Sequence, residues 1–180
     1  INIKKMIIMY NIPTFAEITP KRKQGSVWKI IGLIITLFLI VMILAILNVS
    51  HFFKIKGTSM YPNLQEGQLV MCVESDTIRR GDMVAFYKND EYVIKRVVGL
   101  PGEKLDIDTE GTVLINEEPL PEDYLTYKAK GEVEVELPQK IATNAYFVMG
   151  DNRGDSLDSR HHQVGTLTID KIICKVKLVI

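Results

Sequence analysis

The longest run of apolar residues in the chain extends from residue 30 to residue 47 and contains no charged residue. Only Gly32 and Thr36 interrupt its aliphatic and aromatic side chains. A helix needs about 20 apolar residues to cross a hydrocarbon layer of roughly 30 Å, so this run with its flanks is sufficient. The pattern predicts a transmembrane anchor over residues 27–49, preceded by a basic cytoplasmic segment, residues 1–26.

The basic residues around this run predict its orientation. The cluster Lys21-Arg22-Lys23 precedes the run, and no comparable cluster follows it. Basic residues are retained on the cytoplasmic side, which places the body of the chain, residues 50–180, outside the cytoplasm. A cleaved signal peptide is the alternative, but its apolar region is usually about 7–15 residues long. Residues 47–50 also offer no good Ala-x-Ala site, so the pattern favours an uncleaved anchor in the cell membrane, in contact with lipid.

Beyond the anchor, apolar and polar positions alternate with the period of two that is typical of β-strands. Strands are predicted at residues 68–73, 83–87, 91–100, 104–108, 112–115, 132–137, 145–149 and 166–180. Turns rich in Gly, Pro and Asp separate them. The pattern predicts a mainly β protein, a folded and barrel-like antiparallel sheet, with a small second β region at about residues 103–146.

The formal net charge of zero conceals an uneven distribution of charge. Residues 1–29 contain six basic residues and one acidic residue, whereas the rest of the chain contains 16 basic and 21 acidic residues. An acidic body has no basic stripe that could neutralise phosphates, which argues against nucleic-acid binding.

The two cysteines, Cys72 and Cys174, each lie in an apolar run predicted to be a strand. Neither has a histidine or another cysteine nearby at the spacing of a metal site. The adjacent His161 and His162 do not converge easily on one ion, so we predict no metal and no cofactor. Two buried thiols are the favoured interpretation, and a disulfide is the alternative outside the cytoplasm.

One lysine lies within a strongly apolar predicted strand. Lys95 shares a face of that strand with Val93 and Val97. Burial removes water from an ammonium group and lowers its pKa, and a neutral amine can then act as a general base. An edge strand whose lysine reaches water is the alternative.

A turn shortly after the anchor contains a candidate nucleophile, Ser59. Gly57 permits the backbone to bend there, and Pro62 fixes the direction in which the chain leaves. The roughly ten residues between the anchor and Ser59 cover at most ~35 Å, which keeps this residue near the membrane surface. A lone serine is usually a surface or turn residue. The presence of Lys95 strengthens the case for Ser59 as a nucleophile, because a serine and a lysine suffice for nucleophilic catalysis without histidine.

A dense polar loop, Gly-Asp-Asn-Arg-Gly-Asp-Ser-Leu-Asp-Ser-Arg, covers residues 150–160. Its side chains can bond nearby backbone groups and stabilise a shaped turn. Ser156 could direct a lysine amine, and Asp158 and Arg160 could pair beside it. A solvated surface turn is the alternative. An EF-hand calcium site is excluded, because the pattern lacks a Glu at the twelfth position and flanking helices.

Four segments, in this order, resemble the bacterial type I signal peptidases, which are membrane-bound Ser–Lys endopeptidases. They are Gly-Thr-Ser-Met-Tyr-Pro-Asn-Leu at 57–64, Gly-Asp-Met-Val at 81–84, Tyr-Val-Ile-Lys-Arg-Val-Val-Gly-Leu-Pro-Gly-Glu at 92–103 and Met-Gly-Asp-Asn-Arg-Gly-Asp-Ser-Leu-Asp-Ser-Arg at 149–160. Together with the anchor, the resemblance covers nearly the whole chain. The short interval between residues 102 and 149 is similar to the compact Gram-positive form.

The resemblance implies a role for each matching residue of the catalytic group. Ser59 would be the nucleophile and Lys95 its general base. Ser156 would orient the lysine amine, and Asp158 and Arg160 would support the site through a salt bridge.

The resemblance also implies a substrate and the groups that surround it. The substrates would be preproteins with small residues, typically Ala, at positions −1 and −3 of the signal peptide. Met60 would line the substrate groove, and the Ser59 backbone N–H would belong to the oxyanion hole, next to Gly57 and Thr58. Some members have a serine two positions before the nucleophile. Gly57 stands there in this chain, which leaves the second oxyanion donor open. The chain is expected to act as a monomer without a cofactor.

Two other classes of protein share parts of this pattern. A catalytically silent, membrane-anchored binding paralogue would lack Ser59 or Lys95, and both are present. A self-cleaving repressor-type protease would have a helical DNA-binding head where this chain has its apolar run. The sequence therefore predicts a signal-peptide-removing endopeptidase, with the silent paralogue as the alternative.

Overall fold

The computed structural model describes residues 24–180 of the chain. It divides into two compact units, with the boundary between residues 45 and 46. Most of the predicted cytoplasmic segment falls on residues 1–23 and therefore lies outside the described residues. The proposed limits of the segments, 1–26, 27–49 and 50–180, remain a prediction.

The N-terminal unit contributes most of a long apolar helix, α1 (Gln24–Val49). Among the described residues, it is the one helix long and apolar enough to cross a membrane by length and composition, over Val27–Ala45. The hydroxyl of Thr36 donates a hydrogen bond of 2.9 Å to Gly32 O within the helix. Because of this bond, the hydroxyl of Thr36 needs no hydrogen-bond acceptor outside the helix.

The second unit consists of two antiparallel β-sheets. Its strands are β1 (Ser50–Lys54), β2 (Leu69–Val73), β3 (Met83–Lys88), β4 (Glu91–Gly99), β5 (Lys104–Ile107), β6 (Val113–Ile115), β7 (Glu118–Pro119), β8 (Gln139–Lys140), β9 (Ala145–Met149), β10 (Leu167–Thr168) and β11 (Ile172–Val179). The large sheet has the order β1-β2-β11-β3-β4-β9-β10, and the small sheet has the order β7-β6-β5-β8. The predicted fold of mainly antiparallel β-structure is confirmed, with both sheets open rather than closed into a barrel.

The small sheet shares its apolar core with the large one. This core contains residues of β5 and β6 together with Val98 from β4 and Phe147 and Met149 from β9, all buried. The small sheet therefore packs on strands that also belong to the large sheet. A side chain carried by the small-sheet region can consequently approach residues on β4 and in the loop that follows β9.

Most of the predicted strands are present. β2, β3, β4, β5, β6 and β9 begin and end within one residue of the prediction. The strand predicted at residues 166–180 is divided in two, because a 3-10 turn, Ile169–Lys171, separates β10 from β11. β1, β7 and β8 were not predicted. β7 and β8 are only two residues long, and β1 follows the helix in the sequence without an intervening turn.

The strand predicted at residues 132–137 is wrong, although the alternation is real. The apolar side chains of the segment are half-buried and its glutamates are exposed, but no strand of either described sheet pairs with it. Instead, the backbone N–H groups of Glu134 and Val135 both donate to Arg160 O, at 2.9 and 3.1 Å. Alternation determines which side chains are buried, but it does not supply a neighbouring strand.

Cys72 and Cys174 form a disulfide. β2 and β11 are antiparallel neighbours in which Cys72 lies opposite Val176, and the Cα atoms of the two cysteines are 5.6 Å apart. The expectation of two buried thiols is therefore wrong. The sequence placed both cysteines in strands, but it did not show that the last strand lies beside β2.

Removal of this disulfide is expected to lower the free energy of unfolding by about 3–5 kcal/mol, because the bond closes a long loop in the unfolded chain. The two cysteines are 102 residues apart. Thermal melts of the full chain in detergent, with and without reductant, would measure the effect. Reductant should leave the melting temperature of a Cys72→Ser/Cys174→Ser variant unchanged. A wild-type melting temperature that does not fall in reductant would contradict the prediction.

Candidate active site

The first element of the site is the Ser59 turn, residues 57–64. Gly57 has a φ of 76°, a left-handed conformation that a residue with a Cβ rarely adopts. A hydrogen bond of 2.9 Å from Leu64 N–H to Met60 O closes the turn. Met60 and Leu64 are 3% and 0% exposed, which anchors the turn in the core. Ser59, between these anchors and the glycine, is half-buried.

The second element is Lys95 on β4. A two-residue hairpin turn, in which Asn89 and Asp90 have φ of 49° and 62°, joins β3 to β4. Such a turn matches the twist of paired strands, and the resulting register places Lys95 opposite Val84. The lysine is only 3% exposed, and its Nζ lies 2.6 Å from Ser59 Oγ. The structure thus brings the two predicted residues into direct contact.

The surroundings of Lys95 favour its neutral form. Burial lowers the pKa of Lys95 from 10.5 to about 8, the nearby carboxylate of Asp158 opposes this shift, and the guanidinium of Arg160 adds to it. At pH 7 roughly a tenth of such a lysine is neutral. A neutral amine at hydrogen-bonding distance can accept the proton of the Ser59 hydroxyl as the oxygen attacks an electrophile.

A cleft of about 650 Å³ opens over Ser59 and Lys95. Residues 52–57 form one wall and residues 90–95 form the other, and Thr58 and Met60 also line the cleft. Residues 91–95 pair with β3 on one side, whereas β9 joins β4 only from Arg96 onward. Among the described strands, this stretch of β4 therefore has an unpaired backbone edge.

The loop after β9, residues 150–160, is bonded to the Ser59 turn. Asn152 N–H donates to Ser59 O at 3.0 Å, and Asn152 Nδ2 donates to Thr58 O at 3.3 Å. The Thr58 hydroxyl in turn donates to Asp155 Oδ2 at 3.2 Å. These bonds fix the backbone of the candidate nucleophile against the 150–160 loop.

Gly150 permits the close approach of that loop. A methyl group in place of its hydrogen would lie 2.1 Å from Ser156 Oγ and 2.5 Å from Ser59 O. Gly150 N–H also donates to Asp158 Oδ2 at 2.9 Å. Gly150 belongs to one of the sequence motifs, but the sequence does not indicate its role, because only the structure shows what lies beside it.

Asp158 and Arg160 form a buried, bidentate ion pair. Arg160 Nε lies 2.8 Å from Asp158 Oδ1, and Arg160 Nη2 lies 2.8 Å from Asp158 Oδ2. Burial would raise the pKa of Asp158, but the hydrogen bonds and charge of Arg160 outweigh it and the pKa is lowered. The carboxylate therefore remains charged beside the lysine. The ion pair that was expected at these positions is present, and its role in the site remains a prediction.

Ser156 lies beside the site but makes no hydrogen bond to the lysine amine. Its Oγ is shielded from solvent and has no hydrogen-bond partner of good geometry among residues 24–180, but the hydroxyl lies close enough to the Asp158 carboxylate to help lower the pKa of that group. A rotation of the Ser156 side chain would be needed before its hydroxyl could bond to the Lys95 amine. This predicted role therefore remains a prediction.

A second buried ion pair, which was not predicted from the sequence, joins Arg96 to Asp151. Arg96 Nε and Nη2 donate to the two carboxylate oxygens of Asp151 at 2.8 and 2.6 Å. Asn63 Nδ2 also donates to Asp151 Oδ2 at 2.9 Å. Asp151 thereby links the residue after Lys95 to the Ser59 turn. Among residues 24–180, no group of three or more His, Cys, Asp or Glu side chains is arranged to bind a metal.

Comparison with known proteins gives consistent matches. A family described as signal peptidase, peptidase S26, matches residues 27–180. Signal peptidase I of Bacillus amyloliquefaciens is 32% identical over 181 residues, which cover 91% of this chain and 90% of the relative. Signal peptidase IB of Staphylococcus aureus is 35% identical over 145 residues, covering 69% and 74% of the two chains. A crystal structure of a signal peptidase I from Enterococcus faecalis V583 superposes with a TM-score of 0.49 and 28% identity, over 58% of this chain and 100% of that one.

Proposed function

The chain belongs to the signal peptidase family, peptidase S26, and on that premise we propose that Ser59 and Lys95 form its catalytic dyad. It is a serine peptidase that removes signal peptides from preproteins. The observation that carries the assignment is the 2.6 Å contact between Lys95 Nζ and Ser59 Oγ, made by a lysine that is 3% exposed.

In the proposed mechanism, neutral Lys95 takes the proton of the Ser59 hydroxyl as Oγ attacks the scissile carbonyl carbon. The Ser59 backbone N–H stabilises the oxyanion of the tetrahedral intermediate. The lysine ammonium then donates its proton to the departing amine, which leaves an ester between Ser59 and the signal peptide. Water, deprotonated by Lys95, hydrolyses this ester and restores the hydroxyl. Neither neighbouring side chain supplies a second hydrogen bond to the oxyanion here, because Gly57 has no hydroxyl and the Thr58 hydroxyl donates to Asp155.

We propose that the substrate binds in the cleft as an extended strand. The unpaired backbone of residues 91–95 can bond to a peptide, and the two walls can receive alternate side chains. The preference expected from the family is for small residues, typically Ala, at −1 and −3. Met60 at the cleft lining supports this preference, because a methionine side chain beside the nucleophile restricts the space for larger residues.

We also propose that α1 anchors the chain in the cell membrane, in contact with lipid. Its described side chains over Val27–Ala45 are all exposed and almost all apolar, a pattern suited to a hydrocarbon environment. The basic residues that precede it favour an N-terminus in the cytoplasm and a catalytic unit outside. The Cys72–Cys174 disulfide supports this orientation, because disulfides persist in oxidising compartments. A monomer suffices, since both members of the dyad come from one chain.

Cleavage of a preprotein with an Ala-x-Ala site tests this function. The full chain in detergent should release the mature protein, cut after the second Ala as determined by mass spectrometry, and Ser59→Ala should release none. Activity retained by Ser59→Ala would refute the dyad. A folded wild type that cuts none of several preproteins would favour the catalytically silent paralogue instead.

A further inference from the structure

Residues 122–127, here called the strap, lie between β7 and β8 of the small sheet and contact three parts of the site. We propose that the strap positions the Ser59 turn and the 150–160 loop for catalysis, with Glu122, Tyr124 and Tyr127 as positioning residues. This inference rests on the assignment of Ser59 and Lys95 as the dyad.

The first contact is a buried ion pair between Glu122 and Arg153 of the 150–160 loop. Both side chains are 0% exposed. Arg153 Nη1 donates to Glu122 Oε2 at 3.0 Å, and Nη2 donates to Oε1. Arg153 Nε also donates to Gly150 O at 3.1 Å. Glu122 thereby orients Arg153, which bonds to the backbone of Gly150, and Gly150 lies directly against Ser59 O.

The second contact is made by Tyr124. Its hydroxyl donates to Glu122 Oε1 at 2.6 Å, and its ring lies 4.2 Å from the guanidinium carbon of Arg96. Burial, reinforced by Glu122, raises the pKa of Tyr124, so the hydroxyl remains a donor. The Tyr124 carbonyl accepts a hydrogen bond of 2.9 Å from Asn63 Nδ2. One residue of the strap thus contacts both the neighbour of Lys95 and the Ser59 turn.

The third contact is made by Tyr127, whose hydroxyl donates to Asn152 Oδ1 at 2.5 Å. Asn152 is the residue whose N–H binds Ser59 O and whose amide binds Thr58 O. Tyr127 is 51% exposed, so its hydroxyl contributes little to the core. We therefore infer that its bond to Asn152 orients the 150–160 loop rather than stabilising the small sheet.

The three contacts reach the site at different points: the 150–153 backbone, Arg96 beside Lys95, and Asn152 beside Ser59. Stabilisation of the small sheet alone would not require the strap to contact all three of these points. Because catalysis depends steeply on the placement of the reacting atoms, loosening the strap should lower kcat without weakening substrate binding.

Two variants and two matched controls separate positioning from stability. Glu122→Gln removes the charge that pairs with Arg153, and Tyr127→Phe removes only the hydroxyl bonded to Asn152. Glu103→Gln is the control for the first, because its carboxylate bonds to Arg80 and to Leu100 N–H, outside the site. Tyr87→Phe, at another exposed tyrosine, is the control for the second.

The full chains in detergent would be compared for melting temperature, kcat and KM on an Ala-x-Ala preprotein, at a temperature where all are folded. We expect kcat to fall about ten- to hundredfold in Glu122→Gln and about threefold or more in Tyr127→Phe, with KM within twofold of wild type. Both control variants should retain the wild-type kcat, even where Glu103→Gln lowers the melting temperature.

Wild-type kcat in folded Glu122→Gln and in Tyr127→Phe would overturn the proposal, and so would an equal loss of kcat in the controls. Should Glu122→Gln fail to fold, Tyr127→Phe decides alone, because its hydroxyl lies at the surface. Ser59→Ala is measured alongside. Activity in Ser59→Ala would refute the dyad, whereas an inactive Ser59→Ala with unaffected strap variants would refute the strap alone.

Discussion

Lys95→Met is expected to abolish most of the activity and to stabilise the protein at the same time. Loss of the proposed general base should lower kcat by about 10²- to 10⁴-fold. Methionine nearly matches the length of the lysine side chain and needs no water, so the cost of burying an ammonium disappears. That cost is about 3–4 kcal/mol, since the pKa of Lys95 falls from 10.5 to about 8 on folding and each unit corresponds to ~1.4 kcal/mol.

The pH dependence of both properties follows from the same shift. Below about pH 8 the lysine is protonated in the folded and the unfolded chain, so the full destabilisation is present. Between about 8 and 10.5 only the unfolded chain binds the proton, so this contribution to stability rises with pH. The wild-type rate should fall about tenfold for each pH unit below 8, as the neutral amine is depleted.

Cleavage assays between pH 6 and 10 and denaturant unfolding at pH 7 and 10 would measure these effects. Lys95→Met should show neither the acidic limb of the rate profile nor the lysine's contribution to the pH dependence of stability. Lys175→Met is a useful control, because Lys175 is also buried but pairs with Asp82 at 3.0 Å, away from the cleft. A rate profile flat down to pH 6 in the wild type would contradict the assignment of Lys95 as the base.

Gly150→Ala is expected to lower kcat by about 100-fold or more. The added methyl group would lie 2.1 Å from Ser156 Oγ and 2.5 Å from Ser59 O, well inside van der Waals contact. The 150–160 loop and the Ser59 turn must then separate, and a shift of about 1 Å near reacting atoms can reduce the rate about 100-fold. Kinetics with the same preprotein would measure the loss.

Gly154→Ala, in the same loop, is the matched control. Its added methyl group would meet only the Tyr127 side chain, with a nearest approach of 3.6 Å, which is ordinary contact. We expect its kcat to stay within about threefold of wild type, since surface substitutions of this kind are nearly neutral. Equal losses in the two variants would show that an added methyl group is tolerated at neither glycine, and equal activity would show that the close approach at Gly150 is not required for catalysis.

The sequence was a good guide to the fold where apolar alternation and turn residues coincide. β3 and β4 were predicted because their runs of β-formers follow the turn Arg80-Gly81-Asp82 and end at Pro101-Gly102. The segment at 132–137 has the same alternation but no partner strand. Alternation reports burial on one side, whereas pairing depends on distant segments. The position of β11 between β2 and β3, and hence the disulfide, likewise could not be deduced from local pattern.

The candidate site was predictable as far as residue chemistry is local. A lysine in an apolar strand indicates a lowered pKa, and Ser59 and Lys95 do lie in contact. The residues that bring the parts together carry no such signal. Glu122 and Tyr124 stand in a segment without periodicity, and their importance depends on Arg153 and Arg96, which are far away in the sequence.

The place of β11 in the large sheet determines when the enzyme can form. Among the described strands β11 comes last along the sequence, yet it lies between β2 and β3, so the large sheet has a gap there until residues 172–179 are in place. During synthesis the emerging chain therefore cannot assemble Ser59 and Lys95 on a finished sheet before residues 172–179 are present. A chain shortened to end before residue 172 is therefore expected to lack proteolytic activity.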